Sequence, residues 1–312
     1  MVRAYSVFDD FPQDLITILE SNGIMIECLP KGKERPKGVE LQSLLEQYDV
    51  LFISTGEKIT EDMFERINSS KIIGTASRGI DHIHVPTTKR DLISIVNASS
   101  NSISVAEHVI SLVFALSKCL IDGRFVAAKG QNKRVMTYKP QEITGKTMGI
   151  IGAGITAKEV IKLSLGLHMK CLCWTKHPEN HIDLQQLGVH FCSLDSLLTE
   201  SDVITTHIPL VNDTRGLIDS RMIWSIRDDA IFINTSRAEI VDNYALFDRA
   251  KRVPSFCVGL DYDPDSVFGL WDEHMANVIV TPHIAGGTIQ SRVRLFHDCV
   301  NGVLSILSSQ SA

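Results

Sequence analysis

The stretch Gly149-Ile150-Ile151-Gly152-Ala153-Gly154-Ile155-Thr156-Ala157 constrains this 312-residue chain more than any other. It closes an apolar run of strand type, Met148 to Ile151, and enters a helical stretch, which is the context that gives a G-x-G-x-x-G/A pattern its meaning. Gly152 permits a tight turn, Gly154 lets backbone approach a pyrophosphate, and Ala157 is small enough for helix to pack on strand. Ile155 and Thr156 fall in the first helical turn, where free N–H groups and the positive end of the helix attract an anion. A plain β-α turn is the bland alternative. The strand before, the helix after and the complete β-α-β unit favour a dinucleotide site instead.

The rest of the chain repeats this alternation. Arg3 to Phe8, Ile24 to Leu29, Val50 to Ser54, Lys71 to Thr75 and Leu92 to Val96 read as strands, with a helix over Gln13 to Ser21. The charged loop Lys31 to Gly38 reads as a solvated connector. Ser104 and Glu107 have the spacing of a capping box and open an apolar helix reaching about Leu120, which marks a boundary. A second series follows, with strands Met148 to Ile151, Lys170 to Trp174, Val203 to His207, Ala230 to Asn234, Phe256 to Leu260 and Val278 to Thr281. The terminal helix, Ile289 to Leu307, is long enough to return to the first series. The expected fold is α/β, with two Rossmann-like domains, parallel sheets flanked by helices and a cleft between them. Residues 1–97 with 288–312 would form a substrate domain, and residues 98–287 a dinucleotide-binding domain.

Composition narrows the partners. With 44% hydrophobic residues the chain buries a large core, and a formal net charge of -6 offers no global attraction to nucleic acid or anionic lipid. The longest uncharged apolar run, Val109 to Leu116, is far short of the roughly 20 residues that cross a bilayer. No apolar signal block follows the N-terminus, so a soluble cytoplasmic protein is expected. Seven cysteines lack any C-x-x-C pair, which fits a reducing compartment and gives no metal site. Cys171 and Cys173 would share one strand face as small buried hydrophobes.

A free ribose 2′-hydroxyl normally meets a carboxylate about 20 residues beyond the glycine turn. Eighteen residues after Ala157 stands Thr175, followed by Lys176 and His177. Two potentially cationic side chains suit a 2′-phosphate, so NADP(H) is favoured, with NAD(H) as the other cofactor such a site accepts.

Three later segments end predicted strands and carry groups suited to carbonyl chemistry: Asn234-Thr235-Ser236-Arg237, Gly259-Leu260-Asp261 and Thr281-Pro282-His283. With Ser104-Val105-Ala106-Glu107-His108, the glycine turn, His207-Ile208-Pro209-Leu210 with Thr214, and Ile284-Ala285-Gly286, they occur in an order that closely resembles the D-isomer-specific 2-hydroxyacid dehydrogenases. That family includes phosphoglycerate, phosphite and formate dehydrogenases. The resemblance covers nearly the whole chain. It implies a homodimer through the helix near Ser104, and cofactor contacts from His207, Pro209, Thr214, Thr235, Ser236, Asp261 and Gly286. It assigns substrate-anion binding to Arg237 and acid/base catalysis to His283. The chemistry agrees, because a guanidinium forks onto a carboxylate and an imidazolium donates a proton near neutral pH.

The implied activity is NAD(P)-dependent interconversion of a small 2-oxo acid and its D-2-hydroxy acid. One feature departs from the family: its histidine-orienting carboxylate falls five residues beyond Asp261, where this chain carries Ser266. Asp265 or Asp263 replaces it if the loop is shifted, with Asp265 the candidate catalytic partner; otherwise His283 has no anionic partner. Ser77, Arg78 and Gly79 correspond to the loop over the substrate, Ser54 to a substrate-carboxylate position, and Asn101 to an asparagine that formate dehydrogenases use. Arg78 lies beside the place of a phosphite-dehydrogenase lysine, although solvent or Asp81 accounts for it equally well. Two other readings stay open: a phosphite- or formate-type anion dehydrogenase, and a dinucleotide-sensing regulator without catalysis.

Overall fold

A computed structural model describes residues 2–132, 136–272 and 274–310. The chain divides into two compact units, Met1–Asn101 with Thr288–Ala312, and Ser102–Gly287.

The first unit holds β1 (Val2–Ser6), α1 (Gln13–Ser21), β2 (Ile24–Cys28), α2 (Val39–Gln47), β3 (Val50–Ile53), β4 (Lys71–Thr75) and β5 (Ile93–Asn97). Its parallel sheet has the order β2-β1-β3-β4-β5. Every residue of β3 and β4 is buried, as expected when a parallel sheet is covered on both faces. Lys71, at the start of β4, keeps its ammonium satisfied by donating to the carbonyls of Glu46 and Tyr48.

The second unit holds seven parallel strands and seven helices in described residues. In chain order they are α3 (Ser102–Ser117), α4 (Leu120–Ala128), β6 (Thr147–Ile151), α5 (Ile155–Gly166), β7 (Lys170–Trp174), α6 (Ile182–Gln186), β8 (His190–Phe191), α7 (Leu194–Glu200), β9 (Val203–Thr206), α8 (Ser220–Ser225), β10 (Ile231–Asn234), α9 (Asn243–Arg252), β11 (Cys257–Asp261) and β12 (Val278–Thr281). The sheet order is β8-β7-β6-β9-β10-β11-β12. Alternate side chains feed separate cores on its two faces: Ile231 and Ile233 pack with Ala106, Val109 and Val160, while Phe232, Val258 and Leu260 pack with Leu197 and Leu246. Cys171 and Cys173 are both buried on one face, and burial pushes their thiols up to about 11 and about 12.

The last helix, α10 (Ile289–Gln310), belongs to the first unit, where Phe296 meets the rings of Phe8 and Phe11. A Cβ on Gly302 would lie 2.3 Å from Val96 Cγ1, so only glycine allows α10 so close to β5.

Three sequence expectations need correction. The helix α3 begins at Ser102, so Ser104 is already inside it and is no capping residue; its hydroxyl donates instead to the Ala285 carbonyl at 2.6 Å. The helix also stops at Ser117, because Cys119 adopts φ 53, a left-handed conformation that ends one helix and admits α4. The two-residue strand β8 was too short to read from periodicity.

Candidate active site

In the second sheet the strand order turns back between β6 and β9, and a crevice opens beyond their C-terminal ends at such a switch point. Gly152 stands there. Its φ is +106°, and a Cβ would lie 2.6 Å from the His207 carbonyl oxygen at the end of β9. No other residue fits without moving a strand end. Gly152 N–H donates to Trp174 O, tying the turn to β7. Helix α5 then starts with Gly154 as its N-cap and no side-chain cap, so its leading N–H groups are available to a ligand anion. Ala157 is fully buried beneath the turn, whereas Ile155 is exposed and Thr156 partly so.

At the end of β7, Thr175 is half-buried and Lys176 and His177 are exposed. Both cations already face carboxylates: Lys176 Nζ lies 2.9 Å from Asp213 Oδ2, and His177 Nδ1 lies 3.2 Å from Glu179 Oε1. The hydrogen bond and charge of Lys176 hold the Asp213 carboxyl below its ordinary range. Asp213 comes from the loop after β9, which no local sequence window connects to β7. On the same loop Thr214 is buried; its hydroxyl donates to Pro209 O at 2.6 Å and accepts Val211 N–H at 2.9 Å, so it shapes the loop that carries the exposed Pro209. His207 lies at 3.0 Å from Thr205 Oγ1 through Nε2.

Arg237 follows β10. The fully buried Asn234 organises its turn: the Asn234 amide oxygen accepts from Ser236 N–H and the Thr206 hydroxyl, and its NH2 donates to Arg237 O and Tyr262 Oη. Ser236 Oγ donates to Thr206 O at 2.8 Å, and Arg237 Nη1 donates to Ser236 O at 3.0 Å. Thr235 Oγ1 is buried and has no hydrogen-bond partner, a polar atom left open at this edge of the sheet. Together with the uncapped helix and the glycine cradle, it fits a bound dinucleotide.

His283 lies two residues past β12, exposed and in the left-handed region at φ 54. The turn around it is held by Asp261, which is only 1% exposed. Asp261 Oδ1 accepts the Thr281 hydroxyl at 2.6 Å and Ile284 N–H at 2.8 Å, and Oδ2 accepts Ala285 N–H at 2.8 Å. Asp261 therefore caps the histidine loop, whereas the resemblance implies a cofactor contact. Gly286 follows, partly exposed. Strand β11 separates β10 from β12, so two strand spacings of about 4.8 Å place the ends bearing Arg237 and His283 about 10 Å apart at backbone level. Asp265 is exposed in the 3-10 turn Pro264–Ser266, where its N–H meets Asp263 Oδ1 at 3.3 Å. Ser266 is exposed in the same turn.

The remaining expected substrate residues belong to the first unit. Ser54, at the end of β3, donates from N–H and hydroxyl to Glu57 Oε2 and accepts from Arg35 Nη1 at 2.8 Å. Arg35, from the loop read as a solvated connector, also stacks on Phe8 at 4.9 Å. The loop is exposed as expected of a solvated connector, while an aromatic ring and the buried Glu57 carboxylate hold the Arg35 guanidinium at the sheet edge. Ser77 Oγ donates to Gly79 O, closing the turn over which Arg78 is exposed, and Arg78 O accepts from Asn97 Nδ2. Asn101 Oδ1 is buried without a partner. Sequence reading passed over Asn234, Arg35 and His108 as site residues; only the first stood inside a quoted motif next to a chosen residue.

The family profile described as D-isomer specific 2-hydroxyacid dehydrogenase, NAD binding domain, matches residues 110–285, more than half of the chain. The chain belongs to the D-isomer-specific 2-hydroxyacid dehydrogenase family. Among relatives of this chain, the hydroxypyruvate reductase of Thermotoga maritima is 30% identical over 274 residues, covering 86% of this chain and 88% of that protein. The D-3-phosphoglycerate dehydrogenase of Archaeoglobus fulgidus is 30% identical over 298 residues; the match takes in 93% of this chain and 54% of that protein, so the chain spans about half its length. In structure, the chain resembles D-lactate dehydrogenase from Aquifex aeolicus complexed with NAD and lactic acid, with TM-score 0.80, 26% identity and coverage of 98% and 96% of the two chains. The matched NAD binding domain makes the cofactor of residues 110–285 a nicotinamide dinucleotide. Among the described residues no cluster of His, Cys, Asp and Glu could hold a metal ion, and no helix is long and apolar enough to cross a membrane.

Proposed function

We propose that this protein interconverts a small 2-oxo acid and its D-2-hydroxy acid by hydride exchange with a nicotinamide dinucleotide. The observation that carries the reading is the pair of buried side chains, Asn234 and Asp261, that fix the turns bearing Arg237 and His283 at the sheet edge shared with the glycine cradle. Buried polar residues that fix the turns under a half-buried arginine and an exposed histidine suit a site for an anion more than a packing role.

When bound, the nicotinamide supplies or accepts the hydride. Arg237 holds the substrate carboxylate and polarises its carbonyl. In reduction His283 donates a proton to the carbonyl oxygen as charge develops there, and in oxidation it takes the hydroxyl proton back. Asp265 orients the imidazole in place of the carboxylate missing at Ser266. Gly152, Gly154, Ile155, Thr156 and the unpartnered Thr235 hydroxyl receive the dinucleotide, with His207, Pro209, Ser236 and Gly286 around it. Ser54, Ser77, Arg78, Gly79 and Asn101 serve the substrate. Lys176 and His177 favour NADP(H): a 2′-phosphate replaces Asp213 as the partner of Lys176. The protein works as a homodimer in the cytoplasm, in keeping with seven cysteines that are all unpaired.

The test follows NAD(P)H absorbance with glyoxylate, pyruvate, hydroxypyruvate, oxaloacetate and bulkier 2-oxo acids, then phosphite and formate in the oxidative direction. Turnover of a 2-oxo acid that is lost in Arg237→Ala and in His283→Ala supports the reading. Dinucleotide binding with no turnover of any substrate overturns it in favour of a sensor.

A further inference from the structure

We infer that His108, on helix α3, is a positioning residue for the catalytic histidine and acts through Thr281 and Asp261. The inference rests on the proposed role of His283. Residues 104 and 108 are one helical turn apart and share one face of α3. Both reach the loop that carries His283: Ser104 Oγ donates to Ala285 O at 2.6 Å, and His108 Nε2 lies 3.0 Å from Thr281 Oγ1.

The directions of these bonds follow from proton count. The Thr281 hydroxyl has one proton and two acceptors in reach, Asp261 Oδ1 at 2.6 Å and Leu260 O at 3.1 Å. The shorter, charged acceptor takes the proton, which leaves a lone pair on Thr281 Oγ1 for a donor. His108 Nε2–H is that donor, and its imidazole is neutral because burial pushes it below its ordinary value, against the opposing charge of Asp261 at 3.9 Å. The donated bond polarises the Thr281 hydroxyl toward Asp261 and away from Leu260 O. Asp261 in turn takes the N–H groups of Ile284 and Ala285, the two residues after His283.

This chain of bonds has work to do at His283. A non-glycine residue in the left-handed region persists only where its surroundings hold it there. The strand end alone supplies Asp261 and Thr281; the helix supplies Ser104 and His108. Without His108, Thr281 is free to turn to Leu260 O, Asp261 loses its shortest donor, and the direction of the imidazole loosens. Binding of dinucleotide at the glycine turn draws on other residues and should not change.

The experiment compares His108→Leu, His108→Gln and His283→Ala in the full chain. Leucine keeps volume without a donor, and glutamine keeps a donor. In His108→Leu kcat should fall about 10- to 100-fold, the size expected when a reacting group is displaced by about 1 Å. Its dinucleotide Kd, read by fluorescence titration, should stay within about twofold of wild type, and His108→Gln should recover most of the lost kcat. Should His108→Leu fail to fold, Thr281→Val, which removes the relay hydroxyl at constant shape, must show the same split between kcat and Kd. Wild-type kcat in His108→Leu, or a loss that glutamine does not relieve, overturns the inference while an inactive His283→Ala leaves the parent reading standing. Turnover that survives His283→Ala sinks the parent reading itself.

Discussion

Replacing Asp261 by asparagine separates two roles for this residue, a contact to cofactor and a brace for the His283 loop. Three donors converge on the carboxylate, Thr281 and Ile284 on Oδ1 and Ala285 on Oδ2. An amide offers one oxygen, so its best orientation keeps two donors and turns an NH2 toward the Ala285 N–H. One bond to a charged acceptor is lost, worth about 1.5–3 kcal/mol, and a buried N–H is left without a partner. The two surviving bonds fall to about half strength once the charge is gone. A total near 3 kcal/mol corresponds to about 6–12 °C in Tm for a unit the size of Ser102–Gly287. Thermal unfolding by circular dichroism, dinucleotide titration by fluorescence and steady-state kinetics on Asp261→Asn read the three consequences. A brace predicts the lower Tm, a kcat down by at least about tenfold, and a dinucleotide Kd within about threefold of wild type. An unchanged Tm with a Kd raised more than about tenfold would refute this reasoning and make Asp261 a cofactor contact instead.

Gly152→Ala adds a methyl 2.6 Å from the His207 carbonyl oxygen at a φ that alanine tolerates poorly; a loss of about 2–4 kcal/mol in unfolding free energy and at least a tenfold weaker dinucleotide is expected, by thermal melts and fluorescence titration. Asp213→Asn releases Lys176 from its exposed ion pair. Because so exposed a pair is weak, the ratio of kcat/KM for NADPH over NADH should rise only about two- to fivefold, and Lys176→Ala should lower it. The buried guanidinium of Arg249 satisfies the carbonyls of Ile223 and Ile226 and stacks on Phe256. Arg249→Ala should therefore cost about 2–5 kcal/mol in chemical denaturation with no direct effect on dinucleotide affinity.

Much of the fold was legible because its signals are local. Lys170–Trp174 and Lys71–Thr75 set apolar residues in short runs of strand length between turns, and their limits agree with the structure. The glycine turn could be read because Gly152 must adopt a conformation and a clearance that no other residue offers. What escaped depends on contacts between distant segments. The start of α3 was misplaced because Ser104 looks like a cap until Ala285, 181 residues away, takes its hydroxyl. Arg35 is exposed as read, but its contacts to Ser54 and Phe8 join segments distant in sequence. Thr175-Lys176-His177 reads as a cationic edge, whereas Asp213, from the loop after β9, faces Lys176 in space. His108 stands in the sequence only as the last residue of a motif; its approach to Thr281 gives it a place beside the site.

The central claim is direct hydride exchange at a substrate carbon, with Arg237 and His283 as the groups that permit it. It is tested most directly by supplying NAD(P)H deuterated at C4 on each face in turn, together with the best 2-oxo acid, and locating deuterium in the product by mass spectrometry. The account predicts a D-2-hydroxy acid labelled at C2 from one face alone, no C2 label from deuterated water, and no product from Arg237→Ala or His283→Ala. Label at C2 drawn from solvent, or labelled product undiminished in both variants, would contradict it.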